Sequence, residues 1–448
     1  MNNKTSQVVT RIAPSPTGLF HVGSARVALT NYLFAKQHNG RFLLRIEDTD
    51  TERNKPEWTE MIYSSLQWLG LEYEMSYIQS ERTAIYQKYI EKLIADGFAY
   101  ISQEVVTEPG QRAEVIRFKN PNKKVRFNDL IRGEIEFDTT DLKDFVIAKS
   151  LTEPIFHLTN VIDDFESGIT HVIRGEEHIS NTPRQILIWE AIGGTLPIYA
   201  HIPLLLSETR EKLSKRKHGE LVSIDYYRRL GYLPQAFVNF IALLGWNPGT
   251  DQELFTLDEL VKAFDISKVQ KGGAIFNPEK LLWFNKEYLK RLPVSDIREK
   301  MLEIISEKFS VEDNYLTKII PILQERISTF GELKTLFTAG EYDYLFIDPT
   351  PTKDALIWKK DTDFAVPATN LEAVKTLVID MPESGTREEI QALLDPLAIE
   401  RGKGSVLWPL RMSLTGKDKS PDPYTLLATL PKETSLRRIE NAIAILQK

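Results

Sequence analysis

A strand–helix–strand pattern near the start of the chain constrains the fold more than any other feature. Residues 8–12 form a short β-rich apolar run, and after a Pro/Gly turn residues 24–38 show helical spacing that ends at Asn39-Gly40. Residues 41–46 predict a second strand. Because the intervening helix carries the chain back along the sheet, the two strands should be parallel and the crossover right-handed. The pattern predicts an α/β fold.

The later segments predict further domains. Residues 101–149 alternate as antiparallel strands do, which favours an α+β insertion. The parallel pattern resumes with strands predicted at 145–148 and 170–173, and Thr182-Pro183 predicts the N-cap and first turn of a helix. Beyond residue 222 almost every segment has helical spacing. The predicted domains are two halves of a Rossmann-like parallel-sheet domain at 1–100 and 150–205, the insertion at 101–149, a domain with a basic loop at 206–292, and an all-α region at 293–448, whole or split near 345–365.

The composition, 42% hydrophobic and 27% charged, is that of a soluble globular protein. Met1–Ser6 lack the apolar core of a secretory signal, and the most apolar stretch, 236–246, is too short to span a bilayer. We therefore expect a cytoplasmic protein with no membrane partner. The absence of cysteine excludes disulfides, iron–sulfur clusters and thiolate zinc sites.

The charge is unevenly distributed along the chain. A net charge of −7 argues against a general nucleic-acid binder. Residues 341–400, however, carry 13 acidic and 5 basic side chains, whereas 401–448 carry 9 basic and 4 acidic. This switch predicts either a basic surface near the C-terminus or an ordinary solvated helix face.

One short motif has the residue types of a phosphate site. His21-Val-Gly-Ser24 stands where the first strand turns into the first helix, and free N–H groups at a helix N-terminus attract phosphate. Gly23 would let a nucleotide approach the backbone, and His21 could donate a hydrogen bond to a phosphate oxygen. Four such residues often occur together by chance. The preceding Pro14-Ser-Pro-Thr-Gly18 makes the signal specific.

A second motif, Lys212-Leu-Ser-Lys-Arg216, lies in a polar basic loop. Its ammonium groups could follow phosphates as these separate. The other interpretation is a surface charge cluster, the usual role of such a run. Only the pairing with the first motif favours a nucleotide site.

The two motifs together resemble the HIGH and KMSKS signatures of class I aminoacyl-tRNA synthetases. Over nearly its whole length the chain resembles glutamyl-tRNA synthetases of bacterial type. The segments that carry this resemblance are Arg11-Ile-Ala-Pro-Ser-Pro-Thr-Gly18, Arg45-Ile-Glu-Asp-Thr-Asp50, Asn160-Val-Ile-Asp-Asp164, Val172-Ile-Arg-Gly-Glu-Glu-His178, Asn181-Thr-Pro-Arg-Gln185, Gly272-Gly-Ala-Ile-Phe276, Lys280-Leu-Leu-Trp-Phe-Asn285 and Pro409-Leu-Arg-Met-Ser-Leu-Thr-Gly416.

The resemblance implies a role for individual residues. Glutamate has two carboxylates and one ammonium, so its pocket needs cations and an anion. Arg11 would hold the side-chain carboxylate and Glu47 the ammonium, with Ser15, Asn160 and Arg174 completing the pocket. The alternative is that Arg11 and Glu47 simply pair with each other. The implied catalytic and ATP-binding residues are His21, Gly23, Ser24, Glu177, Lys212, Ser214 and Lys215, and the implied tRNA-binding residues near the anticodon are Arg326 and Arg411, for which a phosphate contact or a surface salt bridge is the alternative.

Two features depart from the family pattern. Phe156 stands where the family commonly has Tyr, so we do not expect it to be a polar ligand. The insertion, which would bind the acceptor end of tRNA, is shorter than usual and has no zinc-binding cysteines.

The resemblance implies a monomeric glutamate–tRNA ligase that uses ATP with Mg²⁺, no zinc, and the partners L-glutamate and tRNA-Glu. Residues 206–292 would then be a stem-contact domain and 293–448 an anticodon-binding domain. Arg326 favours an enzyme that discriminates against tRNA-Gln, but one residue leaves that open. The alternatives are a glutaminyl-tRNA synthetase, which would end in β-barrels, a queuosine-glutamylating paralogue, a small-molecule nucleotidyltransferase and a non-catalytic tRNA-binding paralogue.

Overall fold

The structure, a computed structural model, describes residues 7–49, 52–106 and 112–448. Met1–Ser6, Asp50 of one family segment and residues 107–111 of the insertion lie outside this description. The chain divides into two compact units, Met1–Tyr288 and Leu289–Lys448. The boundaries predicted at 100, 149, 205, 292 and 345–365 stay predictions. Within the described ranges no helix is both long and apolar enough to cross a membrane.

All of the described strands belong to the first unit. In chain order they are β1 Val9–Ile12, β2 Arg41–Ile46, β3 Met75–Ile78, β4 Ala99–Gln103, β5 Glu114–Phe118, β6 Lys124–Asp129, β7 Gly133–Asp138, β8 Phe145–Ser150, β9 Glu153–Pro154, β10 His171–Gly175, β11 Ile198–Ile202, β12 Leu205–Leu206 and β13 Ala274–Ile275.

The helices of the first unit are α1 Val22–Gln37, α2 Pro56–Trp68, α3 Thr83–Ala95, α4 Phe156–Glu166, α5 Thr182–Ile192, α6 Lys215–His218, α7 Ile224–Arg229, α8 Pro234–Ala242, α9 Leu257–Ala263 and α10 Pro278–Arg291, the last of which continues into the second unit. The second unit continues with α11 Val294–Ser306, α12 Asp313–Arg326, α13 Phe330–Thr338, α14 Ala365–Asp380, α15 Arg387–Arg401, α16 Lys403–Thr415, α17 Pro423–Thr429 and α18 Lys432–Gln447.

The predicted strand–helix–strand unit is present. β1 pairs in parallel with β2, and β2 in parallel with β3. β10 and β11 form the second parallel pair, and the Val9 amide donates to Thr170 Oγ1 beside the start of β10. The carboxyl ends of these parallel strands therefore meet at one edge, where α/β proteins place their ligands.

Helix α1 is buried on most of its circumference, which explains its weak amphipathic pattern. It packs against β1, β10, α8 and α9. Asn31 of α1 donates through Nδ2 to the Ile173 carbonyl at 2.9 Å, which ties the helix to β10. The N-terminus of α1 is thereby fixed beside the carboxyl ends of the parallel strands.

The insertion is joined to the parallel sheet more closely than its pattern indicates. β6 and β7 form an antiparallel hairpin, and β6 pairs in parallel with β11 through Asp129 and Tyr199. The expectation that the parallel pattern resumes at 145–148 is wrong, because β8 pairs antiparallel with β5 and β9. Alternation of apolar residues identifies a strand but does not identify the strand beside it.

Candidate active site

A cavity of about 410 Å³ opens at the carboxyl ends of the parallel strands in the first unit. β1 contributes Arg11, β10 contributes Arg174, and Glu47 follows β2 directly. Of the residues predicted to bind ATP or glutamate, all but Ser15 line it: Arg11, His21, Gly23, Ser24, Glu47, Asn160, Arg174, Glu177, Lys212, Ser214 and Lys215. Ser15 is exposed and is not part of the cavity wall.

His21 is the N-cap of α1, and its Nδ1 accepts a hydrogen bond from the Gly23 amide at 2.9 Å. Burial, reinforced by Lys212, lowers the pKa of His21 to about 4, so the ring is neutral at pH 7. Because Nδ1 is the acceptor, the ring proton is on Nε2. His21 therefore offers one N–H donor to the cavity.

Gly23 leaves room for the ring of His21. A Cβ atom built on Gly23 would lie 3.1 Å from His21 Nδ1. The absence of a side chain at Gly23 therefore makes room for the His21 ring as well as for any nucleotide.

The second motif forms part of the same cavity wall. The Leu213 amide donates to the Leu205 carbonyl at 2.9 Å, which fixes the start of the loop beside β12. Lys215 begins α6 and its Nζ lies 5.8 Å from the centre of the Trp58 ring. The Ile224 amide donates to the Phe20 carbonyl at 3.1 Å. That bond links the region after the basic loop to the segment before His21.

Arg11 is buried and pairs with a carboxylate, but that carboxylate is not Glu47. Its Nε and Nη2 donate to the two carboxylate oxygens of Asp164 at 3.0 and 3.2 Å. Glu47 instead accepts from Arg45 Nη2 at 2.9 Å, and Arg45 also donates to Asp164. The alternative of an Arg11–Glu47 pair is therefore wrong. Burial opposes ionisation of Asp164, but Arg11 and Arg45 outweigh it and hold the pKa of Asp164 below its usual range.

Arg174 is buried without a carboxylate partner. Its guanidinium donates to Gln185 Oε1 at 2.7 Å, to Thr182 Oγ1 at 2.8 Å and to His201 Nε2 at 3.2 Å, all of them neutral acceptors. Among the described residues it makes no ion pair within 4.0 Å. Burial lowers the pKa of Arg174 to about 10, so it remains charged at neutral pH. A buried cation without a counter-ion is costly, and an anionic ligand would remove that cost.

The side chain of Thr182 bonds to Arg174 and does not cap α5. Asn181 occupies the N-cap position of α5, and no side chain bonds the free amides there. The predicted N-cap role of Thr182 is therefore wrong. Its hydroxyl donates to the His178 carbonyl and accepts from Arg174.

A chain of hydrogen bonds joins Arg174 to the acidic side of the cavity. Gln185 Nε2 donates to Asn160 Oδ1, and Asn160 Nδ2 donates to Glu47 Oε1, both at 3.2 Å. The predicted glutamate-binding residues Asn160, Arg174 and Glu47 are therefore held in one connected network. Such a network fixes their relative positions before a ligand arrives.

Arg26 also lines the cavity, although it was not predicted from the sequence as a site residue. It is buried on α1, donates to the Pro203 carbonyl at 2.7 Å, and forms no ion pair in the part of the chain that the structure describes. Burial lowers the pKa of Arg26 to about 10. The feature of the sequence that could have identified it is a charged residue within the apolar run that follows His21. Phe156 also lines the wall and, as expected, brings no hydroxyl to it.

Within the second unit, Arg326 and Arg411 contact the backbone of one loop. Arg326 Nη2 donates to the Lys419 carbonyl at 3.3 Å, and Arg411 Nη1 donates to the carbonyls of Asp418 and Ser420 at 3.2 and 2.9 Å. The loop joins α16 to α17. The structure thus brings the two predicted tRNA-binding arginines to a common surface.

The fold and the paired motifs define a class of protein. A family model described as "tRNA synthetases class I (E and Q), catalytic domain" matches residues 7–109 and 103–283. A second, described as "Anticodon binding domain", matches residues 288–443. The chain has the catalytic and anticodon-binding parts of a class I aminoacyl-tRNA synthetase.

Relatives and solved structures narrow that class. The chain is 39% identical to a glutamate–tRNA ligase of Carboxydothermus hydrogenoformans over 96% of this chain and 98% of that protein. It is 38% identical to one of Aquifex aeolicus over 97% and 98%. The crystal structure of a glutamate tRNA ligase from Elizabethkingia meningosepticum in complex with its amino acid has a TM-score of 0.86 and 33% identity, covering 98% of this chain and 100% of that one. The chain belongs to the glutamate–tRNA ligase family, which confirms the predicted family and fold class.

Proposed function

We propose that the protein ligates L-glutamate to tRNA-Glu at the expense of ATP. In the first step the α-carboxylate of glutamate attacks the α-phosphorus of ATP, forming glutamyl-adenylate and releasing pyrophosphate. In the second, the terminal ribose 2′-hydroxyl of tRNA attacks the glutamyl carbonyl and AMP leaves. The first step needs no general base, because the attacking carboxylate is already ionised; positioning and charge stabilisation carry it.

The single observation that carries this proposal is the unpaired charge of Arg174. Arg11 and Arg45 are neutralised by Asp164 and Glu47, whereas Arg174 has only neutral partners. Glutamate has a net charge of −1 and so supplies the missing anion. Glutamine is neutral and would leave the cation without a counter-charge.

The two motifs are suited to the phosphate chemistry. His21 presents its Nε2–H at the N-terminus of α1, where the helix dipole also favours negative charge. Lys212 and Lys215 line the same wall, and each carries an ammonium group. Together these groups would stabilise the charge that builds on the phosphates as pyrophosphate departs.

The donor set of the cavity is not that of a resident metal site. In the described part of the chain, no group of three or more His, Cys, Asp and Glu side chains could hold a metal ion. Mg²⁺ would therefore arrive with ATP, liganded mainly by phosphate oxygens and water.

The helical second unit separates this function from its nearest competitor. Residues 289–448, all of them described, contain α11–α18 and no strand. A glutaminyl-tRNA synthetase was expected to end in β-barrels. A queuosine-glutamylating paralogue or a small-molecule nucleotidyltransferase would not need an anticodon-binding unit. Action as a monomer in the cytoplasm is part of the proposal.

Aminoacylation tests the proposal directly. Labelled glutamate should become acid-precipitable with purified tRNA-Glu only when ATP and Mg²⁺ are present. The same assay with tRNA-Gln decides whether the enzyme is discriminating. Absence of charging by a folded protein, or charging with glutamine alone, would refute the function.

A further inference from the structure

His201 contacts Arg174 but does not line the cavity. It lies on β11 directly opposite Arg174 on β10, and its side chain is fully buried. Its Nδ1 lies 2.6 Å from Asp129 Oδ2, and its Nε2 lies 3.2 Å from both Arg174 Nε and Thr182 Oγ1. Asp129 is on β6, in the segment whose sequence suggested only a role in binding the tRNA acceptor end.

The bonding of Asp129 fixes which nitrogen of His201 carries the proton. Asp129 Oδ1 accepts from the amides of Ile131 and Arg132 at 2.9 and 2.8 Å, which leaves Oδ2 facing the imidazole. Burial opposes ionisation of Asp129, but its bond to His201 and the amides hold the pKa of Asp129 below the ordinary range. An ionised carboxylate only accepts hydrogen bonds, so Nδ1 of His201 must donate.

The other nitrogen of His201 must therefore be an acceptor. Burial lowers the pKa of His201, despite the opposing effect of Asp129, and the ring is neutral at pH 7. Its Nε2 lone pair faces the Nε–H of Arg174. Arginine has no acceptor, whereas the Thr182 hydroxyl beside Nε2 can donate or accept. Only this tautomer of His201 therefore satisfies both Asp129 and Arg174.

The remaining bonds of Arg174 show what this arrangement achieves. Of the five N–H groups of a guanidinium, Nε–H is held by His201, one on Nη1 by Gln185 and one on Nη2 by Thr182. One N–H remains on each terminal nitrogen. A pair of this kind can bind the two oxygens of one carboxylate.

We propose that Asp129 and His201 are positioning residues that hold Arg174 in the orientation in which its two free N–H groups meet a carboxylate of the amino-acid substrate. The proposal rests on the proposed function. It adds a determinant of amino-acid affinity that acts through Arg174 without touching the substrate.

The Asp129→Asn variant tests the tautomer. The amide can keep its oxygen on the Ile131 and Arg132 amides while presenting an NH₂ group to His201 Nδ1. The ring must then carry its proton on Nε2, and two donors face each other at Arg174. The KM for glutamate in aminoacylation should rise about tenfold or more, while the KM for ATP stays within about twofold of wild type.

Two substitutions of His201 provide a second, independent test of the proposal. In His201→Gln the amide oxygen falls near the position of Nε2 and can still accept from Arg174. In His201→Asn the side chain reaches Asp129 but not Arg174. The KM for glutamate should therefore rise several-fold more in His201→Asn than in His201→Gln.

Thr139→Val is the matched control for lost stability. Thr139 is buried just after β7, and its hydroxyl bonds only to Lys123 across the hairpin. The Thr139→Val substitution should lower the melting temperature without changing the KM for glutamate. An unchanged KM in Asp129→Asn, equal increases for glutamate and ATP, or equal effects of the two His201 variants would overturn the proposal. If the wild-type enzyme charges no glutamate, the proposed function itself fails.

Discussion

Among the cations predicted to bind glutamate, one has no carboxylate partner. Asp164 binds Arg11 and Arg45, and Glu47 binds Arg45 and accepts from Asn160. Arg174 is left with neutral partners alone. Within the predicted glutamate pocket the excess charge is therefore on Arg174, and the free energy of holding it there is recovered when an anion binds.

Replacing Arg174 with Gln should remove this excess. The shorter neutral side chain can keep some of the hydrogen bonds to Gln185 and Thr182 but has no charge to offer. We expect the KM for glutamate to rise about 100-fold while the KM for ATP changes little, measured by steady-state aminoacylation. A proportional rise for both substrates would contradict the assignment.

The sequence motifs identified which residues line the cavity but not how they are paired. Arg11 and Asp164 are far apart in the chain, as are Asp129 and His201, and no local spacing connects either pair. The family segments name Arg11, Glu47 and Arg174 as pocket residues without separating the neutralised cations from the free one. That distinction depends on side-chain geometry, which only the folded chain supplies.

At the scale of elements, the basic loop and the N-terminus of α1 are brought together by backbone bonds. Ile224 donates to Phe20 on one side of the loop, and Leu213 to Leu205 on the other. Lys215 lines the cavity, whereas Lys217 pairs with Glu211 at 2.9 Å and does not. Two lysines of one short segment are thus placed in different surroundings.

These surroundings predict different consequences of substitution. Lys215→Ala should lower the rate of ATP–pyrophosphate exchange, measured with glutamate and tRNA present, about 100-fold, the effect of losing one donor to developing charge. Lys217→Ala is the matched control and should stay within about threefold of wild type. Equal losses would show that the loop acts only through its overall charge.

Elements were predictable where their own periodicity defines them. Residues 41–46 form β2 as expected, and the helix predicted at 24–38 is α1 at Val22–Gln37. Two expectations failed for a common reason, which is that both depended on a partner outside the segment. β8 pairs with two antiparallel strands. The hydroxyl of Thr182 accepts a hydrogen bond from Arg174 and does not cap the N-terminus of α5.

At the scale of the molecule, four partly buried histidines of the first unit link stability to pH. Burial is the main cause that lowers the pKa of His21, His157 and His171 to about 4 and that of His178 to about 3. In the unfolded chain their pKa is about 6.5. Between these values the unfolded state binds more protons, so stability is full above pH 6.5 and is lost as the pH falls toward 4.

The melting temperature of the first unit should accordingly fall by several degrees between pH 7 and pH 5, followed by calorimetry. His171 lies outside the cavity, and His171→Gln should make the melting temperature less dependent on pH in that range. A melting temperature that rises as the pH falls would contradict the burial of neutral histidines.

The second unit should govern the use of tRNA and not of glutamate. Truncation to residues 1–292 should lower kcat/KM for tRNA roughly 100-fold, as expected from losing contacts to one or two bases. If the shortened chain does not fold, Arg326→Ala in the full chain should raise the KM for tRNA and leave the KM for glutamate unchanged. Unaltered tRNA use in both would remove the anticodon-binding role.

The central claim is that the free charge of Arg174 makes this cavity a glutamate site. The most direct measurement is the ratio of kcat/KM for glutamate to that for glutamine, on the same purified tRNA-Glu. Because a site built around a required charged group rejects an analogue that lacks it, the ratio should be about 10⁴ or more. A ratio near one, or a preference for glutamine, would contradict the account.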